Sequence, residues 1–175
     1  ALWALGQEST GPTEIEGKGD YRFKQNGYNV AHTFDCTMRL AGGHSIRLVS
    51  GPNELVISGD RGRIRVNRGG LTGKPVEELT KAEHEKLDEE IIKLSKGKRP
   101  GNHMANFFEC ARDRSLPISD VFTHHRSVSA CHLANIAMRL GRKVRWDPVK
   151  EDFPGDAEAR AMLTRKQREP YTIDA

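Results

Sequence analysis

The stretch that decides the fold runs from His103 to Pro148: His103-Met-Ala-Asn-Phe-Phe-Glu-Cys110, Pro117-Ile-Ser-Asp120, His124-His-Arg-Ser127, Cys131-His-Leu-Ala-Asn-Ile-Ala137 and Arg142-Lys-Val-Arg-Trp-Asp-Pro148. Met104, Phe107, Phe108 and Ala111 recur at i, i+3, i+4 and i+7, which gathers them into one stripe of a 3.6-residue helix. That spacing predicts a buried face. Asn102 stands where an N-cap accepts the first free amide hydrogens, and Pro117, lacking an amide hydrogen, bars continuation past Arg114-Ser115. A second helix is predicted to start at Ser119 or Asp120 and to bury Leu133, Ile136, Ala137 and Leu140. It should stop at Gly141, which tolerates the left-handed C′ conformation, with Arg139, Arg142 and Lys143 at its negative end. A short strand over 144–146 closes the stretch at Asp147-Pro148.

Working upstream, residues 28–40 alternate cleanly. Tyr28, Val30, His32, Phe34, Cys36, Met38 and Leu40 fall on one side, and Asn29, Ala31, Thr33, Asp35, Thr37 and Arg39 on the other. Period two over that length predicts a long strand with one face on a core. The turns Ala41-Gly-Gly43, Gly51-Pro-Asn53 and Asp60-Arg-Gly62 separate further alternating runs at Ile46/Leu48, Leu55/Ile57 and Ile64/Val66, an antiparallel meander with one polar face. Thr80-Lys-Ala-Glu83 has the form of a capping box, and the highly charged segment that follows reads as a short solvated helix or a long loop. Ala1 to Leu5 reads as a last helical turn ended by Gly6, residues 157–163 as a brief helix capped by Asp156, and Tyr171 to Ile173 as a segment docked on the body. The expected fold is α+β, one domain over 1–175, with a large, mostly antiparallel open sheet and helices on one face. Its core should include Phe34, Met38, Leu48, Ile57, Phe107, Phe108, Leu133 and Ile136.

Composition excludes several function classes. Among 175 residues the 28 Lys and Arg exceed the 24 Asp and Glu, for a net charge of +4, but the basic residues are interspersed with acids rather than massed into a nucleic-acid footprint. No run of about 18 apolar residues occurs, so no membrane helix is expected. Three cysteines without a Cys-x-x-Cys pair support neither a disulfide framework nor a zinc knuckle, and no His-Glu-x-x-His accompanies the seven histidines. Cys110 and Cys131, inside apolar helical runs, read as inert packed thiols. His103, at a helix N-terminus, is a candidate for an anionic or hydroxyl-rich ligand, with simple packing as the alternative. Arg126, beside His124 and His125, is suited to hold a carboxylate or phosphate in a fork; the alternative is an ion pair to Asp120 or Asp113.

The same motifs, His103-x-x-Asn-Phe-x-x-Cys110, Pro117-Ile-Ser-Asp120, His125-Arg-Ser127, Cys131-His-Leu-x-Asn-Ile-Ala137 and Arg142-Lys-x-x-Trp-Asp-Pro148, resemble the C-terminal domain of Gfo/Idh/MocA-type oxidoreductases, in the planctomycete-type branch. The resemblance runs from Trp3-Ala-Leu-Gly6 to Tyr171-Thr-Ile173. It implies a parent with an N-terminal Rossmann domain that binds NAD or NADP, a sugar- or polyol-like substrate, and a homo-oligomer built through the sheet face. It also implies that the catalytic Lys, and the Asp and His of an Asp-x-x-x-His motif just ahead of Trp3, lie outside these 175 residues. No catalytic, cofactor-binding or metal-binding residue is therefore expected here. The side chains that resemblance and pattern together nominate for substrate are His103, His124, His125, Arg126, Asn29, Thr33, Asp35 and Arg39, with Arg47 beside them. A non-catalytic binding or assembly module is the alternative. A cytoplasmic location is expected, or a periplasmic one if an export signal lies upstream.

Overall fold

The computed structural model describes residues 1–22, 26–98 and 101–173. The chain folds as two compact units: Ala1–Ser50 together with His125–Ala175, and the intervening Gly51–His124. The α+β class and the antiparallel pairing match the sequence. The expected single large sheet does not, since the seven strands among the described residues form one sheet of four and another of three.

The first unit contains β1 (Pro12–Asp20), β2 (Thr33–Leu40), β3 (Ser45–Val49) and the two-residue β7 (Val144–Arg145), in the order β3-β2-β1-β7. Ile15 on β1 and Cys36, Met38 and Leu40 on β2 point to one side and are buried. On that side they meet Ala130, Leu133, Ala134, Ile136 and Ala137 of the helix α4 (Val121–Leu140). Three alanines share this stripe with Leu133 and Ile136, and each fully buried Ile or Leu contributes about 1.5–3 kcal/mol. Gly17, paired with Cys36 across the β1/β2 ladder, leaves room for its neighbour on the next strand: a Cβ there would lie 2.5 Å from the Cys36 sulfur. Trp146 packs edge-on against the fully buried Phe153, with ring centroids 4.9 Å apart. The helix α5 (Ala157–Ala161) begins at Asp156, whose carboxylate accepts from the Ala159 amide.

β2 is shorter than the alternation suggested. Thr33 is its first residue, and Tyr28 and Val30 are 90% and 61% exposed. Period two continues upstream of Thr33, but β1 ends at Asp20, its partner in register, so there is no strand for the earlier residues to pair with.

The second unit holds β4 (Glu54–Gly59), β5 (Gly62–Asn67) and β6 (Gly70–Thr72), joined by tight turns, and the one-turn helix α1 (Lys74–Glu77). The helices α2 (Lys81–Leu94) and α3 (His103–Asp113) follow. The local signals hold. Thr80 and Glu83 form the reciprocal capping box, Asn102 accepts from Met104 and Ala105, and Asp120 accepts from Phe122 and Thr123 at the start of α4. Gly141 takes φ 63° at the end of α4.

The burial expected of α3 does not hold. Met104, Phe107 and Phe108 are 61%, 57% and 63% exposed, and Phe107 and Phe108 pack chiefly on each other, edge to face. Among the described residues of this unit only Ser95, Cys110 and Asp120 are buried. Helical spacing shows that side chains share a face, not that anything lies against it. Polar ties hold these segments instead: Lys96 to the Asp120 carboxylate and the Pro117 carbonyl, Lys98 to Asp113 at 3.0 Å, and the Ile118 amide to Asn106. Tyr171 and Ile173, expected to dock, are also exposed.

Candidate functional site

Strand alternation that sends Ile15, Cys36 and Met38 inward sends Glu14, Glu16 and Lys18 of β1, Asp35, Thr37 and Arg39 of β2, and Arg47 of β3 to the opposite face of the four-stranded sheet. The ladder sets them in rows, with Glu14 beside Arg39, Glu16 beside Thr37 beside Arg47, and Lys18 beside Asp35. Arg47 grips Asp35 with a two-point fork, Nε at 2.9 Å and Nη2 at 2.6 Å. That hydrogen bond, with the guanidinium charge behind it, holds the Asp35 carboxyl below the usual aspartate range. Glu14 is engaged by Lys143 at 2.7 Å and by Arg39 at 3.4 Å, and the Lys143 hydrogen bond lowers its pKa in the same way. A shallow depression of about 550 Å³ opens among Glu16, Lys18, Asp35, Thr37, Arg47 and Lys143.

The structure thus brings Thr33, Asp35, Arg39 and Arg47 onto one face, as nominated. Asn29 is separate from them: it lies outside β2, and its carbonyl accepts from Arg139 at 2.7 Å. Glu14, Glu16, Lys18 and Lys143 were missed. For the three on β1 the signal was present, because Glu14-Ile-Glu-Gly-Lys18 alternates as β2 does, while Lys143 arrives through the long-range pairing of β7 with β1.

The α4 candidates have other positions. Arg126 donates to the Pro148 carbonyl and to Glu151, and His125 Nε2 lies 2.8 Å from the same carboxylate. Arg126 is therefore in a structural ion pair, as its alternative held, but with Glu151 rather than Asp120 or Asp113, which Lys96 and Lys98 occupy. A partner 25 residues away leaves no local trace in the sequence. His103 and His124 are exposed residues of the other unit. Cys36 and Cys110 are buried, and burial pushes the Cys36 thiol up. Cys131 is exposed, contrary to its reading as a packed thiol: two residues before Leu133, it falls about 160° round α4 from that buried side chain. Among the described residues no three His, Cys, Asp or Glu side chains converge as a metal site, and no helix is long and apolar enough to cross a membrane.

An antiparallel sheet with a helix on one side and ordered rows of charges and hydroxyls on the other is the framework of an α+β domain. A family model described as the oxidoreductase family, C-terminal alpha/beta domain, matches residues 4–173. The chain belongs to this family and is a C-terminal domain of the Gfo/Idh/MocA oxidoreductase type. No curated protein matches it.

Proposed function

We propose that this domain is the substrate-facing half of an NAD(P)-dependent dehydrogenase, with the open face of the β3-β2-β1-β7 sheet as one wall of a pocket for a sugar- or polyol-like molecule. The observation that carries this reading is the ordered polar face itself. Carboxylates accept from hydroxyl groups and guanidinium and ammonium groups donate to them, so alternating rows of both suit a polyhydroxylated ligand better than an apolar one. The Asp35–Arg47 fork keeps both side chains in fixed positions, and a rigid wall is what holding a carbon in register for hydride transfer requires.

In this reading the seat of the nicotinamide dinucleotide is not among the described residues. The described strands pair antiparallel, with no strand-turn-helix of the kind that seats a pyrophosphate. Gly42 and Gly43 serve the β2/β3 connection and Gly69 and Gly70 the β5/β6 turn. In this proposal the cofactor and the catalytic Lys, Asp and His belong to a Rossmann domain elsewhere in the parent.

The test is a parent enzyme carrying Asp35→Asn or Arg47→Gln. The expected outcome is a rise of about tenfold in KM for polyol substrates, with kcat changed far less, since a lost charge-assisted hydrogen bond to substrate is worth about 1.5 kcal/mol. Unchanged kinetics in both variants would remove this face from the pocket.

A second reading rests on the same rows. Because positive and negative residues are interspersed, a two-fold axis through the sheet can set carboxylates of one copy against cations of another, and such pairing is the commonest closure. We propose a homo-oligomer through this face. Sedimentation equilibrium at micromolar concentration should show a dimer or larger, and a monomer would refute it.

A further inference from the structure

On the helix side of the first unit, remote from the rows of charge on the open face, a cleft of about 780 Å³ lies between α4 and residues 161–165. We infer that this cleft is a binding site for a small organic oxyanion, a carboxylate or phosphate on a partly apolar body. Its volume is within the range of about 300–1,000 Å³ typical of small-molecule sites. Its chemistry is one-sided. Ser129, His132, Asn135 and Arg139 bring hydroxyl, imidazole, amide and guanidinium groups from α4, and Arg165 lines the same cleft from the segment after α5. The one carboxylate in the lining, Glu151, is already shared by Arg126 and His125, which leaves the charges of Arg139 and Arg165 without an acidic counterpart in the cleft.

Arg139 is held ready for a ligand. Its Nη2 donates to the Asn29 carbonyl at 2.7 Å, its Nε reaches the Asn135 oxygen at 3.3 Å, and its guanidinium carbon lies 5.7 Å from the centroid of the Tyr21 ring. The group is thereby oriented while its charge stays unneutralised. Arg165 has no ion pair among the described residues, and it supplies the second point of a clamp. Leu133, Ile136, Trp146 and Met162 form the apolar part of the lining. An anion with a hydrocarbon or aromatic body satisfies both halves, whereas a bare inorganic ion satisfies only the polar one.

Trp146 provides the readout. In a Trp3→Phe background it is the sole tryptophan, so its fluorescence reports the cleft alone. Phenyl phosphate and benzoate are the anionic probes, phenol the uncharged control and inorganic phosphate the control without a body. The expected result is a saturable change in Trp146 emission with one or both anionic probes, no saturation with phenol, and weaker binding of inorganic phosphate. Preference between phenyl phosphate and benzoate identifies which oxyanion the site takes. Arg165→Ala and His132→Ala, both at exposed positions, should weaken binding by at least about tenfold while leaving the thermal midpoint unchanged. Absence of saturation with either anion, equal binding of phenol, or undiminished binding in both variants would each overturn the inference.

Discussion

Replacing Phe153 with alanine should separate the real core of this protein from the one its periodicity advertises. The ring is fully buried and stacks edge-on against Trp146 at 4.9 Å. Its loss therefore removes the transfer energy of a whole aromatic side chain and leaves a cavity in the core of the unit. Buried Phe-to-Ala changes cost about 3–5 kcal/mol, and the edge-to-face contact with Trp146 places this one in the upper part of that range. Phe107→Ala is the matched control, the same atoms deleted from a helix face that is more than half exposed. Its expected cost is below about 1 kcal/mol, mostly the contact with Phe108. Urea melts followed by Trp146 fluorescence for the first variant and by helical circular dichroism for both give the two shifts, compared at constant m-value. A loss below about 2 kcal/mol at Phe153, or one above it at Phe107, would refute the assignment of the core to the first unit.

Further outcomes follow from single features. Gly17→Ala should destabilise by about 1–3 kcal/mol, because the added methyl meets the Cys36 side chain and backbone, and a melt shows it directly. Asp120→Ala removes both the α4 cap and the Lys96 partner and should cost about 2 kcal/mol in the same measurement. Asp113, Asp120 and Asp156 are held at about 2, each chiefly by a side-chain hydrogen bond, from Ser115, Lys96 and Arg142 respectively. Folded-state values depressed below the unfolded aspartate value give stability that is complete above about pH 4 and is lost as pH falls toward 2, so Asp156→Asn should flatten the acid limb of a pH–stability curve. Of the three cysteines, only Cys131 should react quickly with a thiol reagent in the native state, with Cys36 and Cys110 following on unfolding.

What the sequence made legible was local. The Asn102 cap, the Thr80–Glu83 box, the Asp120 start and Gly141 stop of α4, and the inward set Cys36, Met38 and Leu40 all depend on neighbours within a few residues, where stereochemistry decides. What escaped it was decided by distant partners. The start of β2 at Thr33 depends on where β1 ends, the grouping of β4 to β6 into their own sheet on pairings that period two leaves open, and the placement of Arg126 on Glu151 on the turn after Asp147. The open-face site was half legible for the same reason. β2 announced its polar side through clean alternation, whereas Lys143 joined it only through the β7 pairing.

The described hydrophobic core, from Leu2 and Ile15 to Phe153 and Ala159, is assembled from the two ends of the chain, with residues 51–124 inserted between its halves. During synthesis the sheet side of that core therefore exists long before its cover. Ile15, Cys36, Met38 and Leu40 emerge together and must wait for Leu133, Ile136 and Phe153, about a hundred residues later. At roughly 5–20 residues per second the wait is about 5–20 s, in which an unpaired strand edge and a bare apolar face are open to association. The high contact order that results makes this unit slow to close. The inserted segment, rich in sequence-local hairpins and capped helices, can form while its host is still incomplete.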